Sequence, residues 1–205
     1  MLLQDSKREF DLIIFGATGF TGFFIVRELI LSIDENPNEY GHLKWAVAGR
    51  NKAKLTKVLR KVGDELNKQD LATSFSSSDS IIQADVHNEQ TLKAMAVRTR
   101  LVINAVGPYR FYGQPVVDAC VHSRTHHIDI SGEPTYIERT HLDYDVKAKM
   151  NEALIISTCG WDSIPVDLGV HYLKHNFSGK LHSVETFVSI HPGPSVCIID
   201  FNIYY

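Results

Sequence analysis

The stretch FDLIIFGATGFTGFFIVREL, residues 10–29, decides the fold. Four apolar residues, Leu12 to Phe15, run directly into glycines at 16, 19 and 22, and Phe23 to Val26 then resume the apolar pattern. A parallel strand covered on both faces reads as a continuous apolar run rather than an alternation. A glycine turn after such a strand, opening onto an apolar helix, starts a strand–helix–strand crossover. Residues 20–33 fit that helix, being apolar nearly all round, as burial against a sheet requires.

The same alternation continues outward. The loop DENPNEYGH ends the first helix, and Leu43 to Ala48 form a second strand. Asn51 caps a helix whose Leu55, Val58, Leu59, Val62 and Leu66 share one face. The serine-rich ATSFSSSDS reads as a surface loop. It is followed by the strand SIIQAD, an Asn88-capped helix to about Arg98, and the strand RLVINAV. Beyond the loop GPYRFYG come a short helix around Val116 to Val121, the strand HHIDIS, a polar helix from about Thr135 to Asn151, and the strand ALIIST. Six strands alternating with helices predict an α/β fold: a doubly wound, Rossmann-type parallel sheet. We expect this domain over residues 1–178 and the start of a second α/β domain over 179–205.

Composition narrows the function classes. The 205 residues carry a formal charge of −3 with acids and bases interspersed, so no basic face advertises nucleic-acid binding. Cys120, Cys159 and Cys197 are odd in number and lack metal-type spacing, which points to a reducing, intracellular compartment. The opening MLLQDSKREFD is too charged for a secretory signal, so the Asn176-Phe177-Ser178 glycosylation acceptor is expected to be silent. No apolar run approaches the roughly 20 residues of a membrane span, and any membrane association is expected to be peripheral.

In a doubly wound sheet the first strand-to-helix turn lies at the carboxyl edge, where ligands bind. Gly16 permits a tight turn, Gly19 close approach to a ligand, and Gly22 close packing of the helix. Ala17 and Thr18 complete the loop. Backbone N–H groups of Gly19, Phe20 and Thr21 are expected to be free at the helix amino terminus, where they favour a pyrophosphate. The second strand ends VAGRNKAK, with no acid to accept from a ribose 2′-hydroxyl. Arg50 instead offers a charged fork for a 2′-phosphate, with Asn51 beside it. The expected cofactor is therefore NADP. Asp85 is read either as an adenine-side contact or as a helix-capping acid. Ala105, Gly107 and Pro108 end the fourth strand where a nicotinamide ribose would approach. Tyr109 and Tyr112 either face nicotinamide or substrate or decorate the surface. Asp129 and Glu133 either line the substrate crevice or serve capping and loop hydrogen bonds.

Rival chemistries fit less well. The one Tyr-x-x-x-Lys match, Tyr40 to Lys44, precedes the second strand, on the wrong part of the fold for a short-chain reductase. His122, His126, His127, Asp129 and Glu133 suggest a metal, but alternation sends the strand members to two faces, and no metal is expected. Cys159 has no local cation to make it a thiolate. Asp162 and Ser163, before Pro165, read as a helix start.

Five ordered motifs, GATGFTG, VAGRN, NAVGPYRFYGQPVVDAC, HIDISGE and CGWDSIPVDLG, resemble the animal saccharopine dehydrogenase-like oxidoreductases, relatives of bacterial trans-acting enoyl reductases. The resemblance spans roughly residues 10–190. It implies an NADP-binding Rossmann domain followed by an α/β substrate domain, and hydride transfer to an apolar or lipid-linked substrate. It also implies placement at lipid droplets or mitochondria, otherwise the cytoplasm, with a link to glycolipid metabolism; lysine catabolism does not follow. The ending SVCIIDFNIYY departs from the family, so little or no turnover is expected of this chain, and the strand HSVETFVSI is expected to lack partners. A noncatalytic dinucleotide sensor or lipid-droplet interaction protein is the alternative, and a homo-oligomer stays open.

Overall fold

The structure, a computed structural model, describes residues 8–68, 70–71, 75, 79–192 and 197–202, with side chains to residue 187. Most of the serine-rich stretch, the first seven residues and the side chain of Cys197 lie outside the described residues. The chain divides into two compact units, Met1–Cys159 and Gly160–Tyr205.

The first unit contains β1 (Phe10–Phe15), α1 (Phe20–Glu35), α2 (Pro37–Tyr40), β2 (Trp45–Gly49), α3 (Lys52–Glu65) and β3 (Ile81–Gln83). It continues with α4 (Glu89–Ala96), β4 (Thr99–Asn104), α5 (Tyr109–His122), β5 (His126–Asp129), α6 (Pro134–Met150) and β6 (Ile155–Ile156). The strands form one parallel sheet in the order β3-β2-β1-β4-β5-β6. This is the doubly wound arrangement the sequence predicts, and the order reverses between β1 and β4, which opens a crevice above those strands. Register aligns the strand ends: Phe15 lies beside Ala48 and Asn104, and Asn104 beside Asp129.

Successive residues of β1 face opposite sides, so the sheet builds two cores. Ile13 and Phe15 pack with Leu92, Met95, Val102 and Val116, whereas Ile14 packs with Val26, Val47, Leu55, Leu59 and Val62. Each of these large side chains contributes roughly 1.5–3 kcal/mol by leaving water. Asn51 and Asn88 cap α3 and α4 through their side-chain oxygens, as their positions predict. A third cluster, including Val117, Val121, Tyr136, Tyr144 and Ala148, joins α5 to α6.

Three departures are informative. Helix α1 buries Gly22, Val26 and Ile30 but leaves Phe20 and Phe24 largely exposed. Helix α5 starts at Tyr109, earlier than expected, and carries Pro115 within it. Strand β6 has two ladder residues rather than six.

The second unit holds α7 (Ile164–Asn176) and the strands β7 (Phe187–Pro192) and β8 (Cys197–Asn202), which pair antiparallel. The strand expected over HSVETFVSI thus begins only at Phe187 and has a partner in β8, contrary to the sequence expectation. Helix α7 falls in this unit, where the sequence reading grouped it with the first. Among the described residues no helix is long and apolar enough to cross a membrane.

Candidate cofactor site

A cleft of about 220 Å³ opens at the carboxyl edge of β1, β2 and β4. Its wall includes Gly16, Thr18 and Gly19 from the first turn, Gly49 and Arg50 at the end of β2, and Ala105 and Gly107 after β4. The structure thus gathers these three separate turns around one space.

Gly16 adopts φ +90°, a left-handed conformation that disfavours side chains. A Cβ there would also lie 3.0 Å from the Ala105 carbonyl carbon, so β1's turn and the loop after β4 need this glycine to sit together. Gly22 meets the turn itself: an added Cβ would overlap the Gly16 carbonyl oxygen and lie 2.8 Å from the Ala17 Cα. One amide differs from expectation. The Gly19 N–H donates to the Gly16 carbonyl at 2.9 Å and is not free, because the turn closes on itself. The Gly19 carbonyl accepts the first helical bond from Phe23, which leaves Phe20 and Thr21 N–H, within the first turn, with no backbone acceptor from outside the helix among the described residues. Ala17 is fully buried under the turn.

Arg50 is exposed at the cleft, and its guanidinium has no acidic partner among the described residues. Its backbone carbonyl accepts from Gln83, which fixes the β2 and β3 ends together. The Asn51 side-chain oxygen accepts from the Lys54 N–H at 3.0 Å, so that atom caps α3 and only its amide nitrogen remains for a ligand. Asp85 is not in the cleft wall. Its carboxylate accepts from the His87 N–H at 3.0 Å and shapes the loop that delivers Val86 and His87 to the wall instead. His87 stands edge-on to Tyr112, with ring centroids 5.6 Å apart. Val86 and His87 escape sequence reading because only the turn after β3 decides which of three consecutive residues faces the cleft.

The candidates beyond β4 separate. Pro108, exposed and preceded by a cis peptide, provides the residue before α5, and Tyr112 lines the cleft. Tyr109 does not: it is buried, and its hydroxyl donates to the Asn104 carbonyl at 2.8 Å. Burial, with Asp129 and Glu133 nearby, raises its phenol far above the ordinary range. Glu133 accepts from the N–H groups of Tyr109 and Arg110 at 2.8 and 2.9 Å, so its carboxylate caps α5, the capping alternative of the sequence reading. This cap explains why the helix starts early.

Asp129 is 1% exposed, and its carboxylate accepts from Ser131 N–H (3.0 Å), Tyr136 hydroxyl (2.8 Å), Ser157 hydroxyl (3.2 Å) and Thr158 N–H (3.3 Å). It pins the ends of β5, β6 and α6, which is the loop-bonding alternative of the sequence reading. Thr158 holds φ 62°, strained for a β-branched residue, and Asp129 accepts the N–H of that residue. Beside it, His127 is fully buried. The Val106 N–H donates to Asn104 Oδ1, which turns Asn104 Nδ2 toward His127 Nε2 at 3.4 Å and makes that ring nitrogen the acceptor. His127 is therefore neutral with its proton on Nδ1, and burial pushes its pKa down to about 4 against the opposing pull of Asp129. Cys159 is half-buried, with its thiol raised first by burial and then by Asp129, so a thiolate there is disfavoured. Among the described residues no group of three or more His, Cys, Asp and Glu side chains could hold a metal.

The glycine turn, the switch-point cleft and the cation after β2 define a dinucleotide-binding Rossmann domain. Residues 12–156 match the family model of the saccharopine dehydrogenase NADP-binding domain, and the chain belongs to that family. Its cofactor is NADP. The rat saccharopine dehydrogenase-like oxidoreductase is 45% identical over 199 residues, covering 97% of this chain and 45% of the relative. A Caenorhabditis elegans lipid droplet localized protein is 44% identical over 186 residues, covering 91% of this chain and 41% of the relative. The chain therefore spans less than half the length of these relatives. Among solved structures, the apo L-Glu-forming saccharopine dehydrogenase of Saccharomyces cerevisiae superposes with a TM-score of 0.61 at 19% identity, over 91% of this chain and 36% of that one, which is a likeness of fold.

Proposed function

We propose that the cleft above β1, β2 and β4 binds NADP as the cofactor half of an oxidoreductase, and that the relatives' longer chains complete the catalytic unit. Arg50 carries this reading: an exposed guanidinium without an acidic partner among the described residues stands where a 2′-phosphate needs a cation. The N–H groups of Phe20 and Thr21, with Gly19 beside them, would hold the pyrophosphate. Ala105, Gly107 and Pro108 would accommodate the nicotinamide ribose, and Asn51 would add a hydrogen bond near Arg50. Bound NADPH supplies a hydride donor. The chain's own residues position it: Asn104 fixes the Val106 backbone through Oδ1, and Tyr112 and His87 form one side wall.

The cleft fits such a group because glycines at 16 and 22 leave the turn tight and the helix start uncovered. We assign Met1–Cys159 to cofactor binding and the second unit to the beginning of a substrate domain. An apolar or lipid-linked substrate, met at a lipid surface, is supported by the lipid-droplet name of the nematode relative. For the 205 residues alone we propose NADP binding with little turnover. Robust NADPH-dependent reduction by the purified chain would overturn that part.

Calorimetric titration with NADPH and NADH tests the assignment. Arg50→Ala should lower the preference for NADPH by about 10- to 100-fold, as loss of a charge-assisted hydrogen bond does. Stability should stay within about 0.5 kcal/mol, since Arg50 is exposed. An unchanged ratio would remove Arg50 from the site.

A further inference from the structure

Helix α6 has two apolar faces. Tyr136, Thr140, Tyr144 and Ala148, spaced by four, are buried toward the domain. Leu142, Val146 and Met150, also spaced by four, project from the opposite side and are 80%, 68% and 76% exposed. At 3.6 residues per turn these three make a single outward stripe. A solvated helix face normally carries polar residues there, and a contiguous apolar strip marks an interaction site.

The charges beside the stripe indicate what covers it. Asp143 and Lys147 lie on one flank, Asp145 and Lys149 on the other. We propose that this face pairs with the same face of a second copy of the chain, antiparallel and two-fold about Val146. Such an isologous contact sets Leu142 at the height of Met150 of the second copy, so the larger side chains interdigitate around Val146. In that arrangement each flank faces its own reverse. Asp143 comes within two residues, about 3 Å along the axis, of Lys147 of the second copy, and Asp145 equally close to Lys149. Each flank then holds two opposite-charge contacts against one like-charge contact. Parallel pairing reverses the count, because Asp143 would meet Asp145 and Lys147 would meet Lys149. The antiparallel arrangement also opposes the helix dipoles.

Sedimentation equilibrium of the 205-residue chain tests this, with circular dichroism verifying that each variant is folded. The wild type should show a concentration-dependent dimer, and Val146→Glu should weaken it by about tenfold or more. The double variants Asp143→Lys/Asp145→Lys and Lys147→Asp/Lys149→Asp carry flanks of one sign, so each alone should be monomeric. Mixed in equal amounts they should form a heterodimer, which damage to either fold would not produce. Four results would overturn the proposal: a monomeric wild type, a dimer indifferent to Val146→Glu, no pairing in the mixture, or a monomer that binds neutral phosphatidylcholine vesicles through this stripe.

Discussion

The carboxyl ends of β1 and β5 lie in one sheet, two strands apart, yet treat their polar groups in opposite ways. After β1 the turn closes one amide on itself and leaves the helix start open, with Arg50 unpaired by any described acid nearby. After β5, the carboxylates of Asp129 and Glu133 accept from donors of the fold itself, four for Asp129 and two for Glu133 among the described residues. Both edges look equally functional in one dimension, since strand ends bearing charges are where ligands bind. What separates them is saturation. A carboxylate whose lone pairs are occupied by its own chain is part of the scaffold, while a cation or amide with no such partner can meet a ligand.

Substitutions at the two edges should therefore fail in different ways. The largest effect is expected for Gly22→Val, whose side chain would collide with the Gly16 carbonyl and the Ala17 Cα. Thermal unfolding should show a loss on the order of 3 kcal/mol or more, and NADPH binding should vanish with it. Asp129→Ala comes next. It strands several buried donors and releases the strained Thr158, so a loss of about 2–4 kcal/mol is expected in urea unfolding, while the folded fraction keeps its NADPH affinity. Weaker cofactor binding in that folded fraction would erase the contrast between the edges.

The buried imidazole gives a smaller, pH-dependent signal. His127 has its folded pKa pushed down to about 4 from 6.5, so the unfolded state takes up protons first as pH falls. Its contribution is intact above the ordinary value, declines between about 6.5 and 4, and levels off below. Replacing it by the uncharged His127→Gln should flatten that interval of the stability profile, and an unchanged slope would assign the titration elsewhere. Glu133→Gln is the mildest. It removes the charge from a helix cap, and chemical denaturation should register a loss of about 1 kcal/mol.

Much of this was legible in the sequence because burial writes itself as pattern. The unbroken runs Leu12 to Phe15 and Leu101 to Ile103, the helical spacing from Leu55 to Val62, and the Asn51 and Asn88 caps each have a local cause. The turn glycines and Arg50 were legible for the same reason. The burial of Tyr109 was not, and for Asp129 and Glu133 the sequence left crevice and capping roles side by side, since the partners that decide, such as Asn104 for Tyr109 and Thr158 for Asp129, lie outside any local window. His87 was missed because Asp85, two residues earlier, carries the more conspicuous chemistry and is turned to its own loop. The second face of α6 was hidden in a helix that looks merely polar by average.

The side-chain anchor at Asp129 has a consequence for how the first unit breathes. Strand β6 has a ladder of only two residues, but Asp129 takes the Thr158 N–H on its carboxylate and the Cys159 N–H on its carbonyl. Deuterium uptake at Thr158 and Cys159 should therefore lag as though the strand ran on to residue 159, and the unit's last residues should let go only when the centre of the sheet does.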